Sequence, residues 1–261
     1  MSRSKSNTKT IRFHGLQLRV DATRRKNFVY IGRDSFILSS YLRHALQGKH
    51  YTLGLDLGCA SGIQAFTIAK FCKKVIATDV NPRALTSAQS NAQLNKIKNV
   101  SFLRSNIFAS LKNKKFDLIV TNPPFVFIPK ELQQKNIDGY GGGKYGMQIL
   151  FKILDEAHRH LTQNGELYMI AGSPIVHEKD LLREHAQKIR WGAVTLQPVR
   201  HFVYRDFHAF HAKHGISHSI LYILHIRKGK SSFTRKPLSK IKWLYDQVEM
   251  HAVKVFSLIK G

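Results

Sequence analysis

The sequence predicts an α/β protein: a doubly wound, mainly parallel sheet with an antiparallel strand pair at one edge and a basic N-terminal extension. Three observations carry this. Short apolar runs at 53–57, 75–78, 100–103, 116–120 and 167–171 alternate with stretches of helical period. That alternation is what a parallel sheet covered by helices on both faces requires. Glycine, aspartate or asparagine follows these runs at Gly58, Asp79, Asn106 and Asn122, where open α/β sheets bind ligands. Late in the chain, 194–204 and 219–226 read as two long strands joined by a more polar segment, hence the antiparallel pair.

In order along the chain, residues 1–33 carry nine Lys or Arg and one acid. The runs 11–20 and 28–31 alternate as short strands, with Arg24, Arg25 and Lys26 at the tip between them. That tip is either a solvated turn or a contact to phosphate. Phe36, Leu38, Leu42 and Ala45 set a helix over 35–46. A helix is expected over 58–73, with Ala65, Ile68, Ala69 and Cys72 on one face. Asn81 caps the next, whose first turn starts at Pro82. A fourth helix over 147–161 carries Leu150, Leu154, Ala157 and Leu161 and stops at Asn164-Gly165; another spans 179–190, and short helices follow from 238 to 259. The boundaries read 1–48 for the extension, 49–228 for the main domain and 229–261 for a basic helical tail packed on the core.

Forty-two Lys and Arg against sixteen Asp and Glu give +26, a surface that attracts polyanions such as RNA or a ribosome. No basic amphipathic helix favours a membrane surface, and no run of about 18 apolar residues predicts a span. The two cysteines, Cys59 and Cys72, suggest no disulfide framework, so a reducing, cytoplasmic setting is expected. The basic start reads as a binding arm or tail rather than a transit peptide.

Two motifs carry chemistry. Asp56-Leu57-Gly58-Cys59-Ala60-Ser61-Gly62 is a glycine turn from strand to helix that lets a ligand approach the backbone. A nicotinamide cofactor and a sulfonium both fit the turn, but Asp56 would oppose a pyrophosphate and tolerate a cation. Asp79 either accepts ribose hydroxyls or serves helix entry. In Asn122-Pro123-Pro124-Phe125 two prolines fix an extended turn. It presents the Asn122 side-chain oxygen and the Pro123 carbonyl, two acceptors for one planar NH2 group, with Phe125 offering a stacking face. The loop 139–146, with Gly141, Gly142, Gly143 and Tyr145, reads as a lid over the acceptor or a plain connector. His201, His208, His211, His214, His218 and His225 come without cysteine, so no metal is expected.

These residues resemble the Class I S-adenosylmethionine-dependent methyltransferases of the N-methylating, Asn/Asp-Pro-Pro-aromatic branch. Within the "methyltransferase small domain" group they look most like release-factor glutamine methyltransferases. The segments 29–38 (Val-Tyr-Ile-Gly-Arg-Asp-Ser-Phe-Ile-Leu), 122–125 and 141–146 carry this, within a similarity spanning about 28–172. The resemblance implies that Asp56, Gly58 and Gly62 shape the methionine side of the S-adenosylmethionine pocket. Asp79 would hold the ribose and Asn106 lie near the adenine, while Asn122, Pro123 and Phe125 hold the acceptor nitrogen. Ala60 replaces the middle glycine, and Asn106 stands where an acid is common. The implied reaction is N-methylation of a protein glutamine in the translation apparatus; an adenine N6 or guanine N2 of RNA or DNA is the alternative. A non-catalytic nucleic-acid binder on the same fold is a third reading.

Overall fold

A computed structural model describes residues 8–21, 29, 31–133 and 140–238. The chain opens with a hairpin, β1 (Thr8–Phe13) and β2 (Leu16–Asp21), paired from Thr8↔Asp21 to Phe13↔Leu16. Ile11, Phe13, Leu16, Leu18 and Val20 are buried while Arg12, Gln17 and Arg19 are exposed, the period of two that one covered face imposes. The two-residue turn His14-Gly15 has φ of 48° and 81°, as a type I′ connection requires. The run 11–20 is therefore two strands, not one. Arg24, Arg25 and Lys26, expected at a hairpin tip, lie outside the described residues. Val29 is in no strand: its N–H donates to Asp21 Oδ2 (2.9 Å) and its carbonyl accepts from Asp21 N–H (3.1 Å).

There follow α1 (Arg33–Ala45), β3 (Tyr51–Leu57), α2 (Ile63–Ile68), β4 (Cys72–Asp79), α3 (Pro82–Leu94), β5 (Val100–Arg104) and β6 (Phe116–Thr121). Then come α4 (Lys130–Gln133), α5 (Gln148–Glu156), β7 (Leu161–Val176), β8 (Lys179–Asp180), α6 (Leu181–Gln187), β9 (Gly192–Phe202), α7 (His208–Lys213), β10 (Ile216–Lys228) and β11 (Ser232–Arg235). Strands β3–β7 form a parallel block in the order β5-β4-β3-β6-β7. β10 is antiparallel between β7 and β9, and β11 runs parallel to β9 beyond them. The expected α/β class holds, but the antiparallel pair sits inboard of β11 rather than forming the edge.

Period-two burial covers both faces of the sheet. Leu118, Val120, Tyr168 and Ile170 pack toward α1, α2 and the hairpin; Ile119, Leu167 and Met169 pack toward α5 and α6. Two asparagines one helical turn apart dock the hairpin on α3. Asn91 bonds both the N–H and the carbonyl of Arg19 (2.8 and 3.1 Å), and Asn95 does the same for Gln17 (2.7 Å each).

Several helix limits differ from expectation. Cys72 begins β4 instead of ending α2: a helical i+4 step and a buried strand residue look alike for a single apolar position. The α5 stripe is real through Ala157, but the chain tightens into a 3₁₀ turn at Ala157–Arg159, and Leu161 already lies in β7. Asn164-Gly165 falls in the irregularity between the pairs Phe116↔Leu161 and Leu118↔Glu166, not after a helix. α6 is shorter than 179–190 because Asp180 caps it, accepting from Arg183 N–H. Of the expected helices over 238–259, only residue 238 is described.

Candidate active site

The parallel pairing puts three sequence-predicted residues in a row. Leu57 pairs with Thr121 on one side and with Thr78 on the other. Gly58, Asn122 and Asp79 are thus the next residues on three adjacent strands, spaced about 4.8 Å apart strand to strand. The Thr121 hydroxyl donates to the Leu57 carbonyl (2.8 Å), and the Gly58 and Cys59 N–H groups donate to the Thr78 carbonyl (2.9 and 2.8 Å). Asn106 is exposed at the end of β5, after Ser105, whose hydroxyl donates to the Ile107 carbonyl.

Around the glycine turn, Asp79 accepts from Ala60 N–H (3.0 Å) and Asn81 N–H (2.9 Å), tying the turn to β4. Burial raises the Asp79 carboxyl, and those N–H groups oppose the rise. Asp56 is fully buried and accepts from Ala65 N–H (2.8 Å), bracing the first turn of α2 from beneath. Its Oδ1 meets no donor among the described residues. Burial pushes this carboxyl up to about 8, against the Ala65 N–H and with repulsion from Asp79. A Cβ on Gly58 would meet nothing within 4 Å, so open space lies over the turn where a ligand would sit. Ala60, expected to matter only if φ were positive, has φ 45°. Gly62 is different: φ is +92°, and a Cβ would lie 2.4 Å from the Phe66 ring. Gly62→Ala should therefore lower stability by about 1–3 kcal/mol, read by denaturant unfolding. An unchanged midpoint would show that the turn yields freely.

Asn122 meets the start of α1. Its Nδ2 donates to Ser35 Oγ (2.9 Å) and the amide also hydrogen-bonds the Asp34 carboxylate. An ionised carboxylate only accepts, so Asp34 fixes which end of the amide carries the NH2. The opposite atom, Oδ1, is shielded from solvent and meets no donor among the described residues. A buried acceptor without a partner is an unfavourable state unless a ligand donor fills it. Burial raises the Asp34 carboxyl, opposed first by Asn122, then by the Ser35 N–H, with Arg200 more remotely favouring the charged form. Tyr204 is close enough that burial and the Asp34 charge both raise its phenol.

Phe125 lies on the Gly172 backbone of β7, its ring 2.7 Å from where a Cβ there would be. With Phe127, Tyr145, Tyr204 and His211 it lines a small aromatic pocket. The loop at 140–146 is laced to the segment after Phe125: Gly141 N–H donates to Val126 O (3.2 Å), and Val126 bridges Tyr140. A Cβ on Gly141 would fall 1.7 Å from the Gly146 carbonyl, so glycine here permits close packing of the loop on itself. Tyr145, at φ 64°, sets its ring edge-on to Phe127, 5.8 Å between centroids.

The histidines disperse. Buried His211 donates Nε2–H to the Phe127 carbonyl (2.7 Å), His225 bonds Glu166, and His201 stacks on His218. Among the described residues no three His, Cys, Asp or Glu side chains converge to hold a metal. Cys59 and Cys72 are both buried free thiols.

Sequence reasoning did not place Asp34, Ser35, Arg200 or Tyr204 at the site. Signals exist for the first two: both fall in the segment 29–38 that carries the resemblance, and Asp34 is the sole acid between Asp21 and Asp56 in an otherwise basic stretch. Arg200 and Tyr204 carry none.

The profile of the methyltransferase small domain family matches residues 35–195, more than half of the chain. The chain belongs to that family. Its match begins at Ser35 and takes in the glycine turn, the Asn-Pro-Pro-Phe corner and the 140–146 loop; Asp34, Arg200 and Tyr204 flank it. A ribosomal protein uL3 glutamine methyltransferase of Xanthomonas campestris is 33% identical over 53% of this chain and 48% of its own. A release factor glutamine methyltransferase of Aquifex aeolicus is 32% identical over 46% of each chain. The chain thus spans about half the length of these curated relatives. A T. thermophilus 16S rRNA N2 G1207 methyltransferase, solved with AdoMet and guanosine, shares the fold at TM-score 0.54 and 18% identity, over 85% of this chain and 50% of that one. Within that shared fold the chain's sheet is mixed, with a mainly parallel centre. No helix among the described residues is long and apolar enough to cross a membrane.

Proposed function

We propose that this protein is an S-adenosylmethionine-dependent N-methyltransferase whose acceptor is the side-chain amide of a protein glutamine in the translation apparatus. The observation that carries the chemistry is the Asn122 amide: one end held by Ser35 and Asp34, the other an acceptor with no donor among the described residues. The glutamine acceptor is supported by the names of the Xanthomonas and Aquifex relatives. The free thiols and a translation substrate support a cytoplasmic setting.

The residues present fit the cofactor: open space over Gly58, two carboxylates at the strand ends, and no phosphate-compatible positive charge among the turn residues 58–62. Gly58 and Gly62 would pass the backbone close to the amino-acid portion. Asp79 retains lone pairs beyond its two N–H bonds and would accept ribose hydroxyls. When bound, S-adenosylmethionine supplies a methyl group on a sulfonium, already a good leaving group. Asn122 Oδ1 and the Pro123 carbonyl would each accept one N–H of the acceptor amide. That pulls the nitrogen out of conjugation with its carbonyl and frees the lone pair. Phe125 holds the amide plane, so alignment rather than a strong base lowers the barrier.

The test is tritiated methyl transfer into a cell lysate followed by protease or nuclease digestion. Label released by protease and retained through nuclease supports the glutamine reading. Label released by nuclease instead supports the base-methylation reading, which the +26 charge favours.

Asp34 supplies a second prediction. Asp34→Asn replaces an accept-only carboxylate with an amide that can also donate, so the orientation of Asn122 is no longer fixed, and transfer should fall about 10–100-fold with S-adenosylhomocysteine affinity unchanged. Because burial raises the Asp34 carboxyl, its protonated form extends to higher pH than usual. Wild-type transfer should therefore decline as pH falls through that titration, and the asparagine variant should lack this limb. A variant retaining both rate and limb would remove Asp34 from the account.

A further inference from the structure

The amino-terminal edge of the sheet, opposite the candidate active site, has a charge pattern the methyl-transfer chemistry does not use. Strands β3, β4, β5, β6, β7 and β9 all begin at this rim and β10 ends there, at Lys228 beside Gly192. The connections meeting it are 46–50, 69–71, 95–99, 112–115, 157–160, 188–191 and 229–231. Each carries Lys or Arg, and none contains Asp or Glu. The opposite edge is mixed, with Glu131, Glu178, Asp180 and Asp206 in its connections.

Acids near the rim are already engaged. Glu166 holds Lys49 and His225, Asp155 pairs with His185, Glu156 with Lys152, and Asp117 accepts from the Thr52 and Leu53 N–H groups. Lys70, Lys96, Lys98, Lys112, Lys114 and Lys188 stand exposed. With β11, which starts here at Ser232 beside Ala193, eight strands at about 4.8 Å spacing make the rim roughly 34 Å long, close to one turn of a nucleic-acid duplex.

We propose that this rim is a docking surface for the phosphate backbone of duplex RNA. Its cations are mostly lysines on short loops, suited to phosphates as point charges and to no particular base. Among the described residues no helix projects from the rim to enter a DNA major groove, whereas the wide, shallow minor groove of A-form RNA presents its backbone to a flat surface. A membrane is disfavoured: the large exposed apolar residues among those described are Val80, Val203 and Leu238, and the first two lie at the other edge. Bound this way, RNA leaves the Asn122 crevice facing outward. The surface stands independently of the methyl acceptor, and its test reads binding alone.

The experiment is fluorescence anisotropy of a labelled RNA hairpin with a stem of about 16 base pairs, titrated across salt. The full chain is compared with a rim triple variant (Lys98→Gln, Lys112→Gln, Lys114→Gln) and a charge-matched control at the opposite edge (Lys130→Gln, Lys179→Gln, Lys213→Gln). The rim triple should bind about 10–100-fold more weakly near physiological salt, with a log–log salt slope shallower by about 2–3. The control should change less than about threefold, and thermal unfolding should match in all three. Equal loss in both variants would reduce the effect to net charge and overturn the proposal. So would equal affinity for a DNA duplex of the same length, or tighter binding to phosphatidylserine vesicles than to RNA.

Discussion

Asn122→Ala should reduce methyl transfer by at least about 10²–10³-fold while leaving S-adenosylhomocysteine affinity within about threefold. Two consequences of one truncation produce this. The acceptor proposed for the substrate nitrogen is lost, so on that reading the substrate amide keeps its lone pair conjugated and attacks poorly. The Ser35 hydroxyl and Asp34 carboxylate also lose their shared donor, which removes the link between α1 and the end of β6. Stability should fall by about 1–3 kcal/mol, the cost of leaving the buried Ser35 hydroxyl without its partner while Asp34 keeps the Ser35 N–H. Cofactor binding is spared because the glycine turn is braced separately, by Asp79 and the Thr78 carbonyl. Transfer surviving in this variant, measured by single-turnover labelling at saturating cofactor, would refute the assigned chemistry.

The second large effect is on stability. Glu166 sits in β7 with its side chain 11% exposed and collects five bonds. Lys49 Nζ reaches both oxygens at 3.0 Å, Tyr51 and Tyr168 donate at 3.2 and 3.0 Å, and His225 at 2.7 Å. Tyr168 and His225 stack with centroids 4.2 Å apart, so the network ties three strands together. Removing the carboxylate leaves Lys49 and two phenols without their shared acceptor. Glu166→Ala should cost about 2–3 kcal/mol: the carboxylate and its phenol partners are buried or half-buried, but the Lys49 ammonium left behind is 38% exposed and rehydrates. For a chain of this size that is about 4–12 °C in Tm by calorimetry. A loss under about 1 kcal/mol would mean that water replaces the network at no penalty.

The same group sets an acid dependence. Burial alone would raise Glu166, but His225 and Lys49 draw it down to about 2 from an ordinary 4.5. A depressed carboxylate stabilises the fold above its unfolded value. That contribution is lost as pH falls from about 4.5 toward 2. Wild-type stability should drop across this window, and Glu166→Ala should show a smaller drop there.

Most strands were legible because each is a short apolar run ended by a polar or glycine residue, and a parallel sheet sends all such ends to one edge. Helix limits were less legible. Cys72 and Leu161 satisfy helical spacing yet lie in strands, since periodicity cannot separate a last helical turn from a first strand residue. The run 11–20 looks like one strand in the sequence because His14-Gly15 turns the chain while interrupting the alternation by a single residue.

What the sequence by itself determined is the row of strand ends, Asp79, Gly58 and Asn122, together with the excess of cations. Motif spacing fixes the first through parallel topology, and composition fixes the second. Only the tertiary structure decided what surrounds Asn122. Ser35 lies 87 residues away, and Arg200 and Tyr204 come from beyond β9's midpoint and its far end. The packing of α1 against the sheet, not any local pattern, turns the Asn122 oxygen into an acceptor awaiting a donor. A side chain's partners depend on which elements pack together, and short-range spacing carries no record of that.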